Sequence, residues 1–228
     1  KDTKFRNEAL IRRAINACLR TGTESSMQNL IDYASRETNP GGMRAEALAT
    51  LSTWAKPSVL DRVDGRYRGE FTRDATVVRS KSGNVLLKLT TSKDAVVRLA
   101  TVRAIGKLKI PDASKPLFAR LKADPDPAVR AEALSALAGL DDPAIGEAIR
   151  TGLADKEKNV RVTALDLLPK MDLPKEMMVA MLSSVIDTRT TEEKQAALLT
   201  LGNLPVENSQ KVFENLLTKL ENRKLPSE

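Results

Sequence analysis

The chain has 228 residues, of which 41% are hydrophobic, 29% are charged and only 3% are aromatic. The apolar fraction is sufficient for a sizeable core, which argues against a disordered chain, and no apolar run approaches the roughly 18 residues that span a bilayer. Histidine is absent and Cys18 is the one cysteine. The sequence therefore excludes histidine-based catalytic triads, an intrachain disulfide and a four-cysteine zinc site.

The net charge of +7 is distributed unevenly along the chain. Residues 1–123 hold 24 lysines and arginines against 12 acidic residues, whereas residues 124–228 hold 13 against 18. A basic half of this kind suits an acidic partner, although a solvated surface without any partner produces the same pattern. Both interpretations stay open at this point.

A short pattern recurs along the chain: a basic residue, two variable residues, a small residue and an aliphatic residue. Its copies begin, in chain order, at Arg6, Arg44, Arg98, Arg130, Arg161 and Lys194, at intervals of 38, 54, 32, 31 and 33 residues. Each copy continues with apolar residues at helical spacing, and a second amphipathic segment lies upstream of it. Breakers such as Asp124-Pro125-Asp126-Pro127 separate the segments, because proline and aspartate suit the start of a helix.

A helix pair of about 32 residues cannot bury both of its apolar stripes alone, so it is stable only when it stacks on neighbours. We therefore predict an all-α fold, a right-handed α-solenoid of about six helix pairs that forms a single domain over residues 1–228. A final helix over residues 207–221 follows the last pair. One side of that helix is apolar, and we expect it to cap the stack.

The segments Asp94-Ala95-Val96-Val97-Arg98 and Asp126-Pro127-Ala128-Val129-Arg130 resemble HEAT-like repeats of the type named after phycobilisome lyases. The resemblance implies that first helices lie on a convex side and second helices line a concave side. It also implies a structural ladder of aspartate and arginine between repeats, made by Asp94, Arg98, Asp126, Arg130 and Arg161. Glu193-Lys194 departs from the valine–arginine pattern, so the ladder is expected to end there. Lyase activity does not follow from the repeat.

The interval from Arg44 to Arg98 exceeds the usual 32 residues by 22, which predicts an insertion near residues 55–80. Insertions in solenoids emerge on one face and often carry binding residues. The insertion holds several arginines and an aromatic residue that suit an acidic partner, among them Arg62, Arg66, Tyr67 and Arg68. The structural alternative is a loop that covers an exposed edge, with a small core of Trp54, Leu60, Tyr67 and Phe71.

The insertion also resembles a segment of large bacterial proteins that join a sugar-dehydrogenase-like propeller, a HEAT region and a c-type cytochrome. The resemblance rests on Trp54-Ala55-Lys56-Pro57 and on Leu60-Asp61-Arg62-Val63-Asp64-Gly65-Arg66-Tyr67-Arg68. It implies a structural arm of a longer periplasmic polypeptide; without it, a cytoplasmic location is the expectation. The chain lacks an initiator methionine, and we expect a piece of a longer protein.

No catalytic, cofactor-binding or metal-binding constellation stands out. Nucleic acid is considered because the sequence pI is about 9.5, but a phosphate-binding groove needs cations that recur along its length. The two columns expected on the concave side read Ile11, Ala49, Arg103, Ser135, Asp166, Leu199 and Ile15, Thr53, Lys107, Gly139, Lys170, Asn203. Neither column is basic throughout, so nucleic-acid binding is the less favoured alternative.

These observations predict a non-catalytic scaffold or protein-interaction module without a cofactor and without membrane insertion. The expected partner is an acidic protein surface, on another protein or on a flanking domain. The candidate partner-binding residues are Arg62, Arg66, Tyr67, Arg68, Arg103 and Lys107.

Overall fold

The structure is a computed structural model that describes residues 7–222. Twelve α-helices occur in this part of the chain. Their bounds are α1 Glu8–Thr21, α2 Glu24–Ser35, α3 Gly41–Ser52, α4 Ala75–Leu89, α5 Ala95–Leu108, α6 Ser114–Ala123, α7 Pro127–Gly139, α8 Ile145–Leu153, α9 Lys158–Leu167, α10 Lys175–Thr188, α11 Thr191–Gly202 and α12 Val206–Glu221. A 3₁₀ turn at Leu168–Lys170 follows α9, and an isolated bridge between Leu60 and Tyr67 is the only β-pairing within the described residues.

The helices pack in pairs, as the repeat predicts. The pairs are α2 with α3, α4 with α5, α6 with α7, α8 with α9 and α10 with α11. The second helices α1, α3, α5 and α7 also pack on one another in series, and α9 packs on α11 in the same way. The predicted all-α fold of stacked helix pairs is confirmed. Arg6, which begins the first predicted copy of the repeat, lies outside the described residues. Ala9 and Leu10 of the same copy are exposed, so this copy does not follow the buried pattern of the others.

The chain divides into two compact units, residues 1–142 and residues 143–228. The first unit contains α1 to α7 and the insertion, and the second contains α8 to α12. The prediction of a single domain over residues 1–228 stays a prediction. In the second unit, α12 packs on α10 and α11, yet Leu217 and Leu220 on its expected apolar side are 58% and 60% exposed. The cap is therefore less complete than the sequence pattern indicates.

The small residue of the repeat lies in the core in every copy from Arg44 onwards. Residues Ala47, Thr101, Ala133, Ala164 and Ala197 occupy this position, and each of them is fully buried. A larger side chain has no room there, because closely packed interiors leave few voids. The contact of α5 with α7 is similarly close at Gly106, where an added Cβ would lie 3.0 Å from the Cβ of Ala136.

Aspartates and threonines begin many of the helices. Asp94 accepts a hydrogen bond from the backbone NH of Val96, and Asp126 accepts one from Ala128, so each carboxylate caps the helix that follows it. Such caps satisfy amides that have no partner inside the helix. The structure therefore places both predicted ladder aspartates at helix N-termini. Asp94 also lies against α3, where a Cβ on Gly41 would overlap its carboxylate.

The buried arginines of the repeat connect the two helices of a pair. The Nη1 atoms of Arg98, Arg130 and Arg161 each donate to the backbone carbonyls six and five residues earlier, in the turn that precedes the helix. A buried guanidinium must be hydrogen-bonded, since an unpaired buried charge is strongly unfavourable. These hydrogen bonds hold the turn that joins the first helix to the second helix against the second helix.

Two of these guanidinium groups, those of Arg98 and Arg161, also bind an acid of the next pair. Arg98 donates from Nε and Nη2 to Asp124 at 2.8 and 2.9 Å, and Arg161 donates in the same way to Glu193 at 2.6 and 3.1 Å. The acid that binds Arg98 is thus Asp124, two residues before the predicted Asp126. The ladder also includes Glu193, where the sequence pattern indicates its end.

These contacts shift the pKa of the acids. Burial alone would raise the pKa of Asp124, but the hydrogen bonds from Arg98 and from the backbone NH of Asp126 together lower it. The hydrogen bonds from Arg161 outweigh burial and hold the pKa of Glu193 at about 2, with a further contribution from Thr190. Both acids are therefore charged at neutral pH.

Arg44 differs from the other buried arginines. Its Nε donates to the carbonyl of Ala34 at 2.8 Å, but its buried Nη2 has no hydrogen-bond partner among residues 7–222. The residue that corresponds to Asp124 in the next pair is Ser92, whose hydroxyl accepts from the NH of Asp94 as Asp124 accepts from that of Asp126. The repeat therefore lacks a carboxylate at the place where Arg44 would use one.

We predict that Ser92→Asp stabilises the first unit, because the new carboxylate accepts a hydrogen bond from Nη2 of Arg44. The expected gain in the free energy of unfolding is about 1 kcal/mol, measured by urea denaturation. Ser92→Asn serves as the uncharged control. A gain that persists in an Arg44→Leu background would show that the new carboxylate acts elsewhere.

We also predict that Glu193→Gln changes the acid sensitivity of the second unit. The pKa of Glu193 is about 2 in the folded chain and about 4.3 in an unfolded chain, so its contribution to stability is complete above about pH 4.3 and is lost as the pH falls towards 2. At pH 7 the variant should lose about 1.5–3 kcal/mol, and the difference from the parent should vanish near pH 2.

Unfolding of α8 to α12, followed by hydrogen exchange between pH 7 and 2, measures this effect. Glu192→Gln is the matched control, because the side chain of Glu192 is 72% exposed and its ion pair with Lys158 contributes little. Equal effects of the two substitutions at pH 7 would contradict the assignment of Glu193 to the ladder.

Candidate functional site

The insertion is the segment between α3 and α4, from Thr53 to Asp74. It ends six residues before the predicted boundary at residue 80, because Asp74 caps α4 through the backbone NH of Thr76. The prediction that residues 75–80 belong to the insertion is wrong. The segment has two anchors, one at its ends and one in its middle.

Arg73 forms the first anchor. Its guanidinium lies over the rings of both Trp54 and Phe71, at 4.8 and 4.7 Å from their centres, and donates to the carbonyls of Trp54 and Leu19. The carbonyl of Leu19 is near the end of α1, where Gly22 has a positive φ of 69° and a Cβ would lie 2.4 Å from Arg73. The two ends of the insertion are therefore closed on each other and on α1.

The middle of the insertion is a short hairpin, which we define as residues 59–68. The NH of Arg68 donates to the carbonyl of Val59 at 2.7 Å, and the NH of Asp61 donates to that of Arg66 at 2.8 Å. Gly65, with a φ of 72°, makes the turn, because a positive φ is strained for residues with a side chain. An isolated pair of strands is marginally stable in water, so the hairpin needs a support.

Asp61 is that support and forms the second anchor. It is 6% exposed and accepts hydrogen bonds from Nδ2 of Asn16 at 3.0 Å and from the NH of Val63 at 2.9 Å, while Nε of Arg68 lies 3.3 Å away. The backbone NH of Val63, followed by Asn16, holds the pKa of Asp61 far below its usual range. Arg20 donates to the carbonyls of Ser58 and Leu60, so the hairpin is fixed on α1.

The predicted small core of the insertion is only partly correct. Trp54 is 2% exposed and Phe71 is half-buried, but Leu60 and Tyr67 are 50% and 71% exposed. The expectation that Leu60 and Tyr67 belong to this core is wrong, because the hairpin is attached to α1 through polar groups. The insertion is thus structural at its anchors and free at its outer side.

A cavity of about 610 Å³ lies between this hairpin and the second helices α1, α3 and α5. We call it the basic groove. Its apolar surface consists of Ala9, Ala45, Ala49, Val63, Val96, Leu99 and Ala100. Its charged surface consists of Arg12, Arg13, Arg62, Arg103 and Glu46. Four arginines against one glutamate make the groove positively charged. We call the aliphatic side chains that its three helices contribute the floor of the groove.

The arginines of the basic groove differ in their partners. Arg12 pairs with Glu46 at 2.5 Å across α1 and α3, and Arg103 pairs with Glu132 at 2.6 Å across α5 and α7. Arg13 and Arg62 have no ion pair among residues 7–222, and Nη1 of Arg62 donates to the hydroxyl of Thr50 at 3.1 Å. The positive charge that a partner would meet is therefore concentrated on two of the four arginines.

A second cavity of about 590 Å³ lies beside the basic groove and shares Arg13 and Val63 with it. Its other charged residues are compensated, since Asp61 and Asp64 accept ion pairs from Arg68, the latter at 2.8 Å. Arg13 is thus common to both cavities, with Val63 between them.

The predicted partner-binding residues are distributed over several places. The structure brings Arg62 and Arg103 together in the basic groove, and Arg68 lines the neighbouring cavity. Arg66 and Tyr67 lie on the exposed side of the hairpin, where the Arg66 side chain is 78% exposed, and Lys107 is exposed on α5. The last three residues line neither cavity.

Sequence reasoning missed Arg12 and Arg13. The column alignment assigned Ile11 and Ile15 to the concave side, but both are buried at 8% and 5% exposure, so that assignment is wrong for α1. A repeated spacing in the sequence could have indicated the correct register of α1. Arg12 precedes Glu46 by 34 residues, as Lys158 precedes Glu192, and both ion pairs form between successive second helices.

No group of three or more cysteine, aspartate or glutamate side chains is arranged to hold a metal ion within residues 7–222. No helix of the same range is long and apolar enough to cross a membrane.

Comparison with known families agrees with this geometry. A family profile described as HEAT repeats matches residues 75–138 and residues 114–202. Together the two matches extend from residue 75 to residue 202, which is 128 of 228 residues. The chain belongs to the HEAT repeat family. No curated protein matches its sequence.

Members of the HEAT repeat family are generally scaffolds or interaction modules and generally not enzymes. HEAT repeats typically mediate contacts with other proteins. This agrees with the coarse function that the sequence predicts. The resemblance of residues 54–68 to the multidomain dehydrogenase and cytochrome proteins stays a prediction.

We predict that Asp61→Asn releases the hairpin from α1 while the helices stay folded, because the amide removes the charge that faces Arg20 and Arg68. Amide exchange in residues 59–68 and tryptic cleavage after Arg62 and Arg66 should both become faster, with little change in the melting temperature. Glu70→Gln removes the same charge from an exposed position of the insertion and should change neither rate. Cooperative unfolding of α1 and α3 with the hairpin would contradict the prediction.

Proposed function

We propose that the chain is a non-catalytic protein-interaction module whose basic groove binds an acidic segment of a protein partner. The observation that supports this most directly is the combination of an aliphatic floor with four surrounding arginines and a single glutamate. Apolar contact contributes to affinity, and the positive charge steers an acidic partner and excludes basic ones. The partner segment belongs to another protein or to a flanking domain of a longer polypeptide.

The rigidity of the groove favours this function. Three of its walls are second helices that pack on one another in series, and the fourth is a hairpin held by Asp61. A preformed surface loses little conformational entropy on binding, which leaves more of the contact energy as affinity. The walls are therefore suited to a segment that adapts its own shape to them.

The shape and charge of the groove suit a protein segment better than nucleic acid. A nucleic-acid surface needs cations that follow successive phosphates, and single strands also need aromatic side chains for stacking. The residues that line the basic groove include several alanines and no aromatic side chain. Glu46 and Glu132 already pair with Arg12 and Arg103, so these two arginines offer little charge to successive phosphates.

Selection from a library of random 12-residue peptides displayed on phage tests the proposal with the full chain. We expect the selected peptides to be acidic and to contain aliphatic residues. Binding should be lost in the double variant Arg62→Glu with Arg103→Glu. The control is the double variant Lys88→Glu with Lys115→Glu, whose substitutions lie on the first helices α4 and α6. It changes the net charge by the same amount as the groove variant, and it should retain binding.

Two outcomes would contradict the proposal. The first is a selection without acidic bias, or one whose peptides bind the groove variant as well as the parent. The second is tight binding of labelled duplex or single-stranded DNA that weakens steeply between about 50 and 200 mM salt, because this dependence is the signature of phosphate contacts.

A further inference from the structure

We propose that the basic groove recognises a segment in which carboxylates flank an aliphatic side chain, with Arg13 and Arg62 as the two residues that bind the carboxylates. This inference rests on the proposed function and adds the specificity of the site. It divides four arginines of one groove into two that contact the partner and two that hold the groove together.

The arginines of the basic groove differ in whether an acid of the chain already neutralises them. Arg12 already has the carboxylate of Glu46, and Arg103 donates twice to the carboxylate of Glu132, from Nε at 3.1 Å and from Nη2 at 2.6 Å. To bind a partner, either arginine would have to break or share an existing ion pair. Arg13 and Arg62 have no such pair among the described residues, so a partner carboxylate meets their full charge.

A hydrogen bond holds the Arg62 side chain in place. Its Nη1 is fixed by the hydroxyl of Thr50, which is 1% exposed and itself donates to the carbonyl of Glu46 at 2.8 Å. One edge of the guanidinium is thus held against α3, while its other donors have no partner within the described part of the chain. An arginine held in this way binds a carboxylate with less loss of side-chain entropy than a freely rotating one.

Exposed aliphatic side chains on two different elements line the same groove as these arginines. Val63 on the hairpin is 44% exposed and Val96 on α5 is 52% exposed, and both line the basic groove together with Leu99. The NH of Val63 donates to the buried Asp61, so its place in the wall is fixed. Exposed aliphatic side chains on facing walls of a concave site are suited to one aliphatic side chain of a partner.

The basic groove and the second cavity share two lining residues. Arg13 and Val63 line both of them, and Arg62 lines only the basic groove. A bound segment that contacts Arg62 and then Val63 therefore reaches Arg13, where the second cavity begins. This order of contacts corresponds to an acidic residue, an aliphatic residue and another acidic residue along the partner.

A direct test uses a fluorescein-labelled nine-residue peptide with a central leucine, two glutamates on each side, and serine and glycine at the ends. Its affinity for the full chain is compared among Arg13→Gln, Arg62→Gln, Arg12→Gln and Arg103→Gln. All four substitutions remove one positive charge from the same groove, so long-range attraction falls equally. Melting temperatures of the variants verify that each one is folded.

We expect Arg13→Gln and Arg62→Gln to weaken binding about tenfold each, and Arg12→Gln and Arg103→Gln less than about threefold. Replacement of the central leucine by serine, or of the glutamates by glutamines, should weaken binding by a similar factor of about ten. Equal effects of all four arginine substitutions would overturn the division of roles. They would leave the proposed function intact, since the groove would still bind acidic segments.

Absence of binding of this peptide to the parent chain would also overturn the inference, because the peptide contains the composition that the site is inferred to recognise. The display selection then decides the proposed function independently. Acidic peptides of another pattern that bind the groove would preserve the function, and a selection without acidic peptides would remove both.

Discussion

The buried arginines of the repeat are the interaction on which this structure depends. Each of Arg98 and Arg161 joins three elements: its own helix, the turn that precedes it, and an acid in the next pair. A guanidinium inside a helix stack is favourable only when nearly all of its donors are bonded, so small displacements between pairs are costly. The spacing of the pairs is therefore set by hydrogen-bond geometry in addition to the packing of alanine and leucine.

That spacing explains how much of the fold could be predicted from the sequence. The period of arginine, alanine and leucine appears in the sequence because the same buried position recurs in every pair, so the second helices were predictable. The choice between Asp124 and Asp126 was not, since both lie in one Asp-Pro-Asp-Pro turn. Only the folded turn determines that Asp124 faces Arg98 while Asp126 caps α7.

The candidate site was less predictable, because it depends on contacts between distant residues. Arg62 and Arg103 were recognised as basic and accessible, but their meeting in one groove requires the hairpin to lie on α1, and Asn16 and Arg20 that hold it there form no local pattern with Asp61. The sequence prediction of the register of α1 was wrong, since Ile11 is buried while the neighbouring Arg12 lines the groove.

The net charge of the chain and the charges inside the groove lead to different expectations about the partner. A pI of about 9.5 and a basic N-terminal half suggest a surface that attracts any polyanion. In the structure, however, arginines of the groove and the ladder are engaged with acids: Arg12 with Glu46, Arg98 with Asp124 and Arg103 with Glu132. The opposite charges of such an ion pair largely cancel at the distance from which a partner approaches. An arginine therefore affects partner specificity most when no acid of the same chain pairs with it. The arginines without an internal acid, beside an aliphatic floor, therefore support the proposal that the groove binds a short and partly apolar acidic segment.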